Sequence, residues 1–189
     1  MNQCSKAKFL LALLIIVTLA ATLSYTARAD GDDEVRLTAR LTGFQEVPPR
    51  LTTGHGTFVA KISADNQSIT FTETWTDLTG PPLFSHIHFG QPGVAAGVVI
   101  FLCGPAGATN PAQPPCEQTT TGSATGKLTA AGVFNPTSPD QGVTDHTFAD
   151  LLRIIRAGDA YANIHTPRFT PGEIRGQIRI SHEDEGDDH

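Results

Sequence analysis

The feature that most constrains this chain is the period-two alternation of its apolar residues, in short runs separated by glycine, proline and Asx turns. "VRLTARLTG" puts Val35, Leu37, Ala39 and Leu41 on one side and stops at Gly43. Successive side chains of a strand point to opposite faces, so this run predicts a strand with one buried face. "GTFVAKISA" and "SITFTETWTDL" repeat the pattern on either side of Asp65-Asn66, a turn-forming dipeptide, and predict a hairpin. "LFSHIHFG", after the Gly80-Pro81-Pro82 break, and "GVVIFLC" add two strands, "GSATGKLTA" a weaker one, and "AYANIHT" and "EIRGQIRIS" the last two. "GVFNPTSPDQG" reads as an irregular connection.

The period changes once. Phe148, Leu151, Leu152 and Ile155 recur at three and four, Thr144 or Asp145 offers an N-cap, and Gly158 stands where a helix would stop. The expectation is an all-β fold: a Greek-key β-sandwich or barrel of about eight strands, with one short helix before the last two strands. Trp75, the sole tryptophan, is expected in the core or against the sheet.

The ends are different in kind. Lys6 and Lys8, an apolar run from Phe9 to Leu23, and Ala27-Arg28-Ala29 follow the order of a secretory signal peptide, expected to span residues 1–29. Cleavage after Ala29 would leave no stable membrane insertion and would remove Cys4. Residues 30–34 and 182–189 are acidic and without apolar anchors, so both are expected to be disordered around a single domain at 35–181. The acidic surplus of the chain, nineteen Asp and Glu against thirteen Lys and Arg, lies in these ends. The balanced body has no electrostatic footprint for nucleic acid. Its expected location is secreted or periplasmic, where Cys103 and Cys116, flanking the turn-rich "GPAGATNPAQPP", should form a disulfide. On the chain-entropy account such a loop closure contributes about 3 kcal/mol.

The chemistry worth testing lies in "FSHIHFG". On a strand His86 and His88 share a face while Ile87 points the other way. Two imidazoles so placed hold one metal ion if a third ligand comes from a neighbouring strand, and His165 in "NIHT" is the candidate. His55 and His146 read instead as solvated or capping residues. Ser85 adjoins His86 but faces away from it, so the two form no nucleophilic dyad. Glu73, Glu46 and Glu173 are the acids that a glycoside-cleaving pair would need, and the sequence does not pair them. Glu173 and Arg175 share a face in "PGEIRGQI"; they are either an exposed charge pair or groups placed near the histidines, with Arg175 holding a carbonyl or guiding an anion.

Taken together, "LTARLTGFQEVPP", "SHIHFGQPG" with "GVVIFL", and "AGDAYANIHTPRFTPGEIRGQI" resemble the CHRD (chordin) domain over residues 35–180. The resemblance implies a secreted β-sandwich and names no activity. More weakly, "LTGPPLFSHIHFG" is similar to the copper/zinc superoxide dismutase strand that carries an H-x-H pair. That likeness implies copper ligands at His86, His88 and His165, with Arg175 beside them. The bridging histidine and zinc ligands of those enzymes have no counterpart, since no histidine falls between His88 and His146. Two readings follow. The first is a non-enzymatic extracellular or periplasmic binding or structural module with an unknown extracellular partner and no cofactor. The alternative is a copper-binding protein with a mononuclear three-histidine site, with superoxide dismutase-like chemistry as its enzymatic form.

Overall fold

The computed structural model describes residues 35–104, 113–136 and 140–181. The expected signal peptide, both acidic ends and most of the loop between the two cysteines lie outside the described residues. Among the described residues there are nine strands: β1 (Arg36–Thr42), β2 (His55–Ile62), β3 (Ser68–Thr76), β4 (Phe84–Phe89), β5 (Val98–Cys103), β6 (Gly122–Thr129), β7 (Ala160–His165), β8 (Ile174–Gln177) and β9 (Arg179–Ser181). One α-helix among the described residues, α1 (Phe148–Arg156), precedes β7. The strands are antiparallel in the order β5-β4-β7-β8-β1-β2-β3-β6, with β9 on β1. The end strands β5 and β6 approach each other, so the sheet nearly closes into a barrel. The β3–β6 and β4–β7 pairings are non-sequential, which is Greek-key wiring.

The alternation decides the interior. Leu37 and Leu41 of β1, Phe58, Ala60 and Ile62 of β2, and Ile69, Phe71 and Trp75 of β3 all point inward and are buried. The outer residues of β2 and β3, including Thr57, Lys61, Thr70 and Thr72, are exposed. Trp75 is in the core as expected, its Nε1–H donating to Thr119 O at 3.0 Å. Asn66 takes the positive φ of 56° that turns the β2–β3 hairpin. The β5-β4-β7-β8 half is built differently: all six residues of β7 and the four central residues of β4 are buried. Both of its faces are covered.

Cys103 and Cys116 are disulfide-bonded, joining the end of β5 to the segment that leads into β6. Three details differ from the sequence expectation. The final strand is two, β8 and β9, separated at Ile178, whose N–H still donates to Ala160 O of β7. The helix therefore precedes three strands instead of two. Its N-cap is Thr147, not Thr144 or Asp145, because His146 adopts a φ of 59° that a helix excludes. The stop is where the sequence put it. Gly158, at φ 77°, donates to Ile155 O while Asp159 N–H reaches Ile154 O, a Schellman ending that favours glycine.

Candidate metal centre

His86 and His88 project from the outer face of β4, and Ile87 between them is fully buried in the core. The β4–β7 register sets His86 opposite Asn163, His88 opposite Tyr161 and Phe84 opposite His165. His165 is therefore the diagonal neighbour of His86 on the same face, within reach of a side chain of this size. Nitrogens of His86, His88 and His165 all lie within 4.8 Å of one another. His86 Nδ1 and His165 Nε2 are 3.3 Å apart, already the spacing of two ligands about 2 Å from one ion. The full set is wider than that and needs a small inward rotation.

The outer shell of the cluster decides which nitrogen of each ring is free. His88 Nδ1–H donates to Ala96 O at 2.9 Å and His165 Nδ1–H to Thr170 O at 2.8 Å. Each therefore carries its lone pair on Nε2. His165 Nε2 accepts from His86 Nδ1–H, whereas His88 Nε2 is buried without a hydrogen-bond partner. That orphan is notable, since buried polar atoms nearly always have one. The rings are 4–7 % exposed. Burial holds His86 well below the usual imidazole range, aided by the neighbouring His165 and His88. It lowers His88 to about 4, opposed by the Ala96 O bond and by the Asn163 side chain, and pulls His165 down as well, opposed by the Thr170 O bond. All three are neutral near pH 7, the form that ligates metal.

Around them the face is aromatic and tied down. Phe84 packs 4.9 Å from His86 and 4.8 Å from His165, ring centre to ring centre, and Phe101 meets His86 edge-on at 4.2 Å. Tyr161 stacks on His88 at 4.5 Å with planes 3° apart, and the Arg175 guanidinium lies 3.4 Å from the centre of the same tyrosine ring. Arg175 donates to Val94 O and Gln91 O, and Gln177 to Gly90 O, so β8 holds the 90–97 loop down over the site. Asn163, between His86 and Arg175 in register, donates to Glu46 Oε1 at 2.5 Å and to Ile174 O. Burial raises the Glu46 carboxyl to about 7, with Arg175, Asn163 and Arg50 pulling the other way. Gly172, at φ 132°, makes room for this bond: a methyl there would stand 2.6 Å from both Asn163 Nδ2 and Glu46 Oε1.

The other candidates are distributed elsewhere. Arg175 and Glu173 are buried, so neither belongs to an exposed charge pair. Glu173 accepts from Thr52, Thr79 and Thr166 hydroxyls and from Thr79 N–H, tying three loops together next to His165 rather than touching a histidine ring. Ser85 points inward and donates to Asn163 O. Glu73 is inside the barrel, Glu46 outside it and Glu173 among threonines, so the three acids form no cleft pair. His55 and His146 are exposed. The roles of Tyr161, Asn163 and Ala96 were not visible in the sequence, although the strand period does put Tyr161 and Asn163 on the face of His165.

The CHRD domain family model matches residues 37–178, three quarters of the chain. The chain belongs to the CHRD domain family. No curated protein and no solved structure matches it significantly. The histidine cluster, Tyr161, Asn163, Arg175 and Glu46 all lie inside the CHRD match. No helix among the described residues is long and apolar enough to cross a membrane.

Proposed function

We propose that this CHRD protein is an exported, non-enzymatic module that holds one copper ion through His86, His88 and His165. The observation that carries the reading is the buried, unpartnered Nε2 of His88 facing the paired nitrogens of His86 and His165. Leaving such an atom without a partner costs free energy that a bound ion recovers. At an imidazole site copper outcompetes zinc and the earlier divalent metals. Export is supported by the charged, apolar and small-residue order of residues 1–29 and by a disulfide of the kind kept in oxidising compartments. Arg175 acts here as the clamp of the covering loop, and Glu173 as the anchor of the chain on either side of His165.

The test is titration of the metal-free protein with copper, as Cu(II) in air and as Cu(I) under anaerobic ascorbate, read by calorimetry and by copper content after gel filtration. One equivalent should bind, and His88→Ala should bind none at that affinity. Equal binding by both proteins, or no stoichiometric uptake, overturns the reading. A dismutase assay on the loaded protein then separates holding copper from using it.

A second reading, docking of a protein partner, draws on exposed Phe44 and Leu51, at 71 % and 85 %. Phe44 stands at the mouth of a cavity of about 330 Å³ that Glu46 and Arg175 also line. Phe44→Ser/Leu51→Ser should abolish co-purification of a partner with the exported protein without changing copper uptake; unchanged co-purification sinks this second reading.

A further inference from the structure

Resting on the copper reading above, we infer that the three-histidine face is built for the monovalent ion, Cu(I), in preference to Cu(II) or Zn(II). The first reason is ligand number. Among the described residues, His86, His88 and His165 are the histidine, cysteine, aspartate and glutamate side chains that converge there. Cu(I), a d¹⁰ ion, is content with three neutral nitrogens in a plane, whereas Zn(II) takes a fourth ligand. Phe84 and Phe101 pack against the His86 and His165 rings and bring no ligand atom of their own.

The second reason is charge. The cost of moving an ion out of water grows with the square of its charge, so a dication at a site this buried is penalised about four times as heavily as a monocation. The donors bring no negative charge to offset it. Arg175 places a cation on the same face, against the ring that stacks on His88. Two acids approach this region, and both are engaged away from the histidines: Glu46 with Asn163, and Glu173 with the Thr52, Thr79 and Thr166 hydroxyls.

The third reason is preorganisation. Ala96 O and Thr170 O hold two rings with their Nε2 lone pairs inward before any ion arrives. Only His86 changes tautomer, moving its Nδ1 proton to Nε2 and releasing His165 Nε2. The result is three neutral nitrogens within 4.8 Å of one another, two of their rings held by carbonyls, with little freedom to open toward the tetragonal geometry that Cu(II) favours.

The test uses the full chain carrying Cys4→Ser, so that no free thiol competes for copper. Cu(I) is supplied anaerobically with ascorbate against a chromogenic Cu(I) chelator, and Cu(II) and Zn(II) are titrated in parallel against competing chelators. The expected result is a Cu(I) dissociation constant at least about a hundredfold below that for Cu(II), with an X-ray absorption edge of three-coordinate Cu(I) bound by imidazole. Cu(II) or Zn(II) binding as tightly as Cu(I) overturns this inference and leaves the copper site standing; uptake of no metal overturns both. His88→Ala, with His165→Gln as a second variant should the first fail to fold, must lose Cu(I) uptake, and retention by a folded variant places the ion elsewhere. Arg175→Gln removes the nearby cation and should narrow the Cu(I) to Cu(II) ratio about tenfold. An unchanged ratio removes the electrostatic argument.

Discussion

The two halves of the barrel solve opposite problems with the same strand geometry. In β1-β2-β3-β6 the outer face is largely wet, so polar residues there are hydrated and carry little obligation. In β5-β4-β7-β8 the outer face is polar too, yet loop 90–97 and the segment around Glu46 cover it. Every donor and acceptor beneath must then be matched inside the protein. Most are: Arg175, Asn163, Gln177 Nε2, and Nδ1 of His88 and of His165 have partners. The exception at the centre is His88 Nε2. A polar face that is buried and nearly satisfied marks a site, whereas a polar face left in water marks a surface.

The largest effect that would break this contrast is at Glu173. Glu173→Ala leaves the Thr52, Thr79 and Thr166 donors unmatched and should cost about 4 kcal/mol of stability by urea unfolding. Thr72→Ala, on the wet face, should stay within about 0.5 kcal/mol; comparable losses would erase the distinction between the faces.

The wet half has one anomaly on its inner face, Glu73, fully buried with neither oxygen in a hydrogen bond. Burial raises this carboxyl to about 8, opposed by the Ser85 hydroxyl, whose own proton goes to Asn163 O. Its folded-state value lies above its unfolded one, so its contribution is fully present below about pH 4.5 and is lost as pH rises through about 8. Between pH 5 and 8 the loss should be on the order of 3 kcal/mol. Glu73→Gln should flatten that part of the melting-temperature profile relative to the native protein. Parallel profiles for the two proteins would mean that Glu73 is ionised in the core.

The histidine face should show the reverse sign. His88 is lowered to about 4 from 6.5, so the metal-free protein loses stability as pH falls through this window, because only the unfolded chain takes up the proton. His88→Phe preserves the stack on Tyr161 and should recover on the order of 2 kcal/mol at pH 5 relative to pH 8. No differential recovery in calorimetric melting would place the His88 ring in contact with water. The smallest effect is at Gly172→Ala, where positive φ and the crowded Glu46–Asn163 bond predict a loss of about 1 kcal/mol in urea unfolding; a neutral result would show that this bond gives way at no cost.

Much of this was legible along the chain. Strand positions follow from period two, the hairpin from Asp65-Asn66, and the helix stop from Gly158, all local signals that involve residues a few positions apart. The helix start was misplaced because His146 takes a left-handed backbone that its residue type does not announce. The Glu46–Asn163 bond joins residues 117 positions apart, and nothing in either segment foretells it. The reading of Glu173 and Arg175 stayed open for the same reason: burial depends on what other segments cover.

By itself the sequence determined that His86 and His88 share one face of a strand and that His165 lies on another, because side-chain alternation is a property of the local backbone. The tertiary structure decided the rest. The β4–β7 register brought His165 to a position 3.3 Å from His86 across 79 residues of chain, and the carbonyls of Ala96 and Thr170 chose which nitrogens face inward. Convergence and tautomer are set by contacts between distant segments, which form only when the barrel closes and its cover is in place.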